Sequence, residues 1–165
     1  MNRFLIALTL VLATSSTATA APDGWELQTL AGIEFSVPKG AEVTSRQLPE
    51  RVNVVAVTHG DEVLIMTLYR GKTSPSVKQA VSTHAEEFER RVANKGTLRL
   101  GRDSVTILGR TRDVRTITHG MKSARERTNV AAVRLTKTTF VAAWTTPAKL
   151  KRTTTSLILK SISFK

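Results

Sequence analysis

The chain contains no cysteine. That excludes disulfides, thiolate metal sites, a cysteine nucleophile and a lipid-modified cysteine anchor. Aromatic residues make up 5% of the sequence, with a single tyrosine, Tyr69, and two tryptophans, Trp25 and Trp144, far apart. The interleaved aromatics of a nucleic-acid stacking surface are therefore missing. No Gly-x-Ser-x-Gly elbow surrounds any serine. The three histidines, His59, His84 and His119, show no triad spacing and no His-x-His or His-x-x-x-His pattern. With nucleophile, base and orienting group all unplaced, the sequence reads as non-enzymatic, with no catalytic residues, cofactor or resident metal.

What is present begins with a leader. Arg3 precedes the apolar run Phe4 to Ala13, and small residues end in Ala18-Thr19-Ala20. This is the pattern of a cleavable signal peptide over residues 1–20. The run is too short to cross a bilayer of about 30 Å, and no later stretch approaches the roughly 20 apolar residues a spanning helix needs. The expected product is a periplasmic or secreted single domain, residues 21–165, with no transmembrane segment. Its 145 residues are enough to bury an ordinary core as a monomer without staples.

Charge divides along the chain. Residues 21–89 carry six basic and ten acidic side chains, net −4, and residues 90–165 carry 18 and three, net +15. An anionic partner is favoured, and an exported address argues against nucleic acid. An anionic envelope lipid or an acidic protein fits instead.

Periodicity predicts one long helix over Ser74 to Gly96, capped by Ser74 with Pro75 at its first position. Val77, Val81, His84 and Phe88 fall on one face. Strands are predicted over residues 25–30, 33–37, 52–58 and 63–69, with a polar loop over 43–51. Beyond the helix, strands are predicted over 97–100, 104–108, 112–118, 124–136 and 139–145, with turns at Gly101-Arg102-Asp103 and His119 to Lys122. A short helix from Pro147 to about Leu159, with Leu150, Leu157 and Ile158 inward, leads into a last strand, Ser161 to Phe164. Hairpin-length connections predict an α+β fold: an antiparallel sheet with the long and the short helix packed on one face.

Three segments resemble the PsbP/Mog1-type group, and within it the bacterial DcrB-like exported proteins. Ile33-Glu34-Phe35-Ser36-Val37-Pro38-Lys39-Gly40 is similar to the group's early strand and Pro-x-Gly turn. Ser74 to Val92 sits where the group has its main helix. Leu157-Ile158-Leu159-Lys160-Ser161-Ile162-Ser163-Phe164 is similar to its closing helix and strand. The resemblance implies a Mog1/PsbP-like α/β/α sandwich acting as an accessory or binding module, and it transfers no functional residue. DcrB-like members are often lipoproteins; this chain has no cysteine to modify.

The sharpest candidate site is basic. Arg110 and Arg112 share one side of a strand, and Arg125 and Arg127 share a side of the next. If a turn at His119 to Lys122 closes a regular hairpin, Arg115 lies opposite Glu126 and the four arginines form one anion-binding face. Arginine's planar fork suits phosphate or carboxylate; a solvated charged face is the plainer alternative. Two other readings stay open: an assembly factor for an envelope complex, which predicts an exposed apolar patch beside the sheet, and a weak metal site. The metal site would join His59 and His119, in matching Thr-His-Gly tripeptides at two turns, with Asp61 nearby. His84 is either a pH-sensitive group or a hydrogen-bonded histidine at the edge of the core.

Overall fold

A computed structural model describes residues 21–72, 74–93, 98–121, 124–148 and 153–164. The leader read over 1–20 lies outside the described residues, as do Gly96 at the expected helix end, Lys122 of the expected turn, and Leu150. The strands are β1 Trp25–Leu30, β2 Ile33–Pro38, β3 Glu42–Leu48, β4 Val52–His59, β5 Glu62–Arg70, β6 Arg99–Ile107, β7 Arg110–Met121, β8 Ala124–Leu135, β9 Thr138–Pro147 and β10 Ser163–Phe164. Helix α1 is Val77–Val92 and helix α2 is Thr154–Ser161. Strands β1, β2 and β10 form one sheet, and the other seven form a second in the order β3-β4-β5-β9-β8-β7-β6. Every pairing is antiparallel.

The α/β/α sandwich with both helices on one face is thereby overturned: the protein is mostly β, built on two sheets, with its two short helices on opposite faces of the larger one. The cause lies in β8 and β9. Residues 130–133 and 140–144 are buried without a break, so both faces of the large sheet exclude water and each needs a cover. Helix α1 covers one face, setting Ala80, Ala85 and Val92 against Ile117, Val130, Ala132, Val141 and Ala143. On the other face Leu64, Met66, Leu68, Phe140 and Trp144 share a core with Ile33, Phe35 and Val37 of β2 and Ile158 and Leu159 of α2. Among the described residues no helix is long and apolar enough to cross a membrane.

Four smaller expectations also change. The polar stretch read as a loop contains β3, an edge strand exposed along most of its length, so no apolar alternation marks it. Gly101 to Asp103 is not a turn but the middle of β6; a Cβ at Gly101 would stand 2.7 Å from Thr116 Oγ1, which explains a glycine inside a strand. Helix α1 is capped by Ser76, whose side chain accepts from the Gln79 N–H at 3.2 Å, while Ser74 donates to Tyr69 O at 2.8 Å. Helix α2 begins at Thr154, and its inward residues are Thr155, Ile158 and Leu159; Leu157 is 53% exposed.

Candidate anion-binding site

Arg110 and Arg112 alternate along β7 with Val114, a member of the two-sheet core, so all three share its face. At the β6–β7 end of the large sheet, the residues just after α2 complete a cleft of about 470 Å³. Leu108, Leu135, Ile162 and Phe164 line it together with the two arginines, and no acidic side chain among the described residues does. Arg134 borders the cleft, but its guanidinium is committed elsewhere, donating to Ser74 O at 3.3 Å and Thr139 Oγ1 at 2.6 Å.

Arg112 is half-buried, and its Nε is buried with no hydrogen-bond partner among the described residues. Neither Arg110 nor Arg112 forms an ion pair with a described residue. A buried donor left unpaired costs about 1–3 kcal/mol. The Nε is closed to a water-sized group, so an oxyanion in the cleft would meet the outer Nη groups of the same half-buried guanidinium, whose geometry suits carboxylate and phosphate.

The turn beside the cleft carries its own signal. Ile107 pairs with Arg110, leaving Leu108-Gly109 as a two-residue hairpin loop with φ of +54° and +67°. Such loops favour Asn-Gly, and a leucine in this left-handed region is strained by roughly 1–2 kcal/mol. The Leu108 side chain packs against the core and forms a wall of the cleft.

Arg125 and Arg127 lie on the same face at the opposite end of the sheet. The β7–β8 ladder pairs Arg115 with Val130 and Glu126 with His119, running out to Met121 and Ala124, so the expected register is displaced. Arg127 is opposite Thr118, six positions along β7 from Arg112, or roughly 20 Å at about 3.4 Å per residue. Its Nη1 stands 4.0 Å from Asp103 Oδ2, both side chains being well exposed. The four arginines are thus two separate pairs: Arg127 of one stands near Asp103, and the other forms no ion pair with a described residue.

The histidines do not converge. His59 is on β4 and shares the core face of Val55 and Val57, whereas His119 on β7 shares the α1 face of Ile117. Strands β5, β9 and β8 stand between, roughly 19 Å at about 4.8 Å per strand. No cluster of three or more potential metal ligands occurs among the described residues. His119 is 3% exposed; its Nε2 lies 3.2 Å from Thr128 Oγ1, which lies 3.0 Å from Thr145 Oγ1. His84 Nδ1 is 3.0 Å from Ala80 O, and its ring meets the Tyr69 ring edge-on at 6.0 Å. Burial pushes the Tyr69 phenol above its usual range, and the Glu87 carboxylate adds to the shift.

A second opening, of about 620 Å³, lies between α1 and the β6–β7 pair, lined by Val77, Val81 and Leu100 with Lys78, Arg102 and Arg115. Leu100 is 55% exposed, Leu98 38% and Val77 36%, half of the six large apolar side chains exposed among the described residues. Here charge is partly balanced: Asp113 lines the opening, and Glu89 holds Arg115 at 2.6 Å. The larger space is therefore the weaker anion site. Sequence reasoning identified Arg110 and Arg112 but missed Leu108, Ile162 and Phe164. The Leu-Gly pair between two strands was the available sign of the turn.

These elements define a two-sheet antiparallel β domain. No protein-family model matches the sequence, and no curated protein does. Of 17 solved chains similar to it in fold, one is a protein of Bacteroides thetaiotaomicron VPI-5482 solved at 1.50 Å resolution. It superposes with a TM-score of 0.51 at 8% identity, covering 86% of this chain and 48% of its own. The present chain spans about half the length of that neighbour, and the likeness is one of fold alone.

Proposed function

We propose that the protein is an exported, non-enzymatic binding module that recognises an anionic envelope component through Arg110 and Arg112. The observation that carries this reading is the cleft itself: two arginines that form no ion pair with any described residue, among apolar walls. The leader-like residues 1–20 and the +15 charge of residues 90–165 support the compartment and the sign of the partner. Arg125 and Arg127, first grouped with this pair, fall outside the site on distance. Sedimentation with anionic and with neutral vesicles at low and moderate salt is the test. Preferential binding to anionic vesicles that Arg112→Ala weakens and Arg127→Ala leaves nearly intact is the expected result. Equal binding to both vesicle types, or loss through Arg127→Ala alone, refutes it.

A second reading, an assembly factor that binds an acidic protein, is favoured by the exposed Leu100 and Val77 beside Lys78 and Arg102. In a pull-down from envelope extract, a single co-purifying protein lost with Leu100→Asp but retained with Arg112→Ala would carry it.

A further inference from the structure

We infer that the Arg110–Arg112 cleft takes a monomeric anionic amphiphile, one acyl chain ending in a carboxylate or phosphate, and not only the charged surface of a membrane. This rests on the reading of the cleft as an anion site and adds the chain. The walls decide it. A site for a free anion is built from polar donors, but here the two guanidiniums are set among Leu108, Leu135, Ile162 and Phe164. The volume, about 470 Å³, lies within the range of about 300–1,000 Å³ usual for small-molecule sites. Phe164 is anchored edge-on against Phe140 of the core at 5.9 Å, so this wall is fixed before any ligand arrives.

The strained turn points the same way. An asparagine at position 108 would suit the backbone better, yet the chain places a leucine at φ +54° and turns it into the cleft wall. Ala31, Glu50 and Arg51 share this left-handed φ, but of the four only Leu108 lines the cleft. The head of the amphiphile would accept from the outer Nη groups of Arg112 and from Arg110, and its chain would lie along Leu108, Leu135 and Phe164.

Calorimetric titration with octanoate, decanoate and decyl phosphate, all below their micelle concentrations, with decanol and inorganic phosphate as controls, tests the inference. Saturable one-to-one binding is expected, tightening about fourfold for each methylene buried until the cleft is filled (~0.8 kcal/mol each). Decanol and inorganic phosphate bind at least tenfold more weakly than decyl phosphate. Arg112→Ala weakens decanoate about tenfold or more, with Arg112→Lys between it and the parent. Leu108→Asn keeps or raises the melting temperature and flattens the chain-length dependence, which separates lost binding from lost folding. Inorganic phosphate binding as tightly as decyl phosphate, or decanol as tightly as decanoate, overturns the inference. Arg112-dependent binding to anionic vesicles without monomer binding overturns it while leaving the anion site standing. Failure of every anion, vesicles included, removes both.

Discussion

The two faces of the seven-stranded sheet solve the same problem with different materials. Against the small sheet and α2 the sheet presents Phe140, Trp144, Leu64, Met66 and Leu68, while against α1 it presents Val130, Ala132, Val141 and Ala143. Large side chains hold a second layer away from the sheet, and where that layer ends the spacing remains as a cleft. Small ones let a helix approach closely, and its margins carry polar contacts: Arg115 with Glu89, His84 beside Tyr69. The larger opening, about 620 Å³, lies on the thinner side with its charge partly balanced, whereas the smaller one, about 470 Å³, lies where the thicker core ends and holds the arginines that form no ion pair with a described residue.

Neighbouring residues on β9 offer the harshest test. Phe140 enters the thick core and Val141 the thin one, both fully buried. Phe140→Ala is expected to cost about 3–5 kcal/mol through lost burial and a large cavity. Val141→Ala should cost about 1–3 kcal/mol. Chemical denaturation of both variants decides it, and equal losses would erase the distinction between the faces.

The helix starts extend the comparison. Helix α2 is held by Glu62, whose carboxylate accepts from the N–H groups of Thr154 and Thr155 at 3.0 and 2.9 Å and from Thr155 Oγ1 at 2.9 Å. At the start of helix α1 the side chain that accepts from a helix N–H is its own exposed Ser76, taking the Gln79 N–H. Glu62→Ala is therefore expected to lose about 1.5–3 kcal/mol, since charged acceptors make the stronger bonds. Ser76→Ala should lose about 0.5–1 kcal/mol. Thermal melts at neutral pH rank the two; a larger loss at Ser76 would reverse which cover is tied more firmly.

Legibility in the sequence follows burial. The hairpins β1–β2 and β4–β5 and the middle of α1 were readable because one face alternates cleanly, as Ile33, Phe35 and Val37 do against Glu34. β3 was not, because an edge strand wet on both sides has the composition of a loop. The register of β7 and β8 was missed because threonine and arginine satisfy either pairing, and a shift of register changes every neighbour. That single error made two arginine pairs at opposite ends of one face look like a single cluster. The second sheet was hidden in β10, two residues whose role depends on β2, far away in sequence. Arg110 and Arg112 were legible as cations on one side of a strand, with Asp113 on the other side; the apolar walls that give them a pocket come partly from the chain's end.

Among stability effects the smallest is expected at the edge of the thin face. Glu89 holds Arg115 across 2.6 Å, with side chains 24% and 33% exposed. Glu89→Gln should cost about 0.2–1 kcal/mol, shrinking as salt is added. A salt-independent loss on denaturation would mean that packing, not charge, joins α1 to β7.

The final prediction concerns alkaline pH and reads the same face by titration. Tyr69 is the only tyrosine, so the phenolate absorbance of the whole protein reports one site under α1. Burial, and then the Glu87 carboxylate, disfavour its ionised form. Its folded pKa therefore lies above the ordinary value of about 10. The folded state holds this proton more tightly than the unfolded chain, so the contribution to stability is whole below about pH 10 and is lost as pH rises through the folded value. Tyr69→Phe should remove that part of the alkaline loss. Glu87→Gln should bring the phenolate midpoint down only part of the way, because burial is the larger cause. A wild-type midpoint at the ordinary value would mean that water reaches the phenol freely. Small side chains would then fail to seal the helix against the sheet, and the two covers would differ in dryness as well as in thickness.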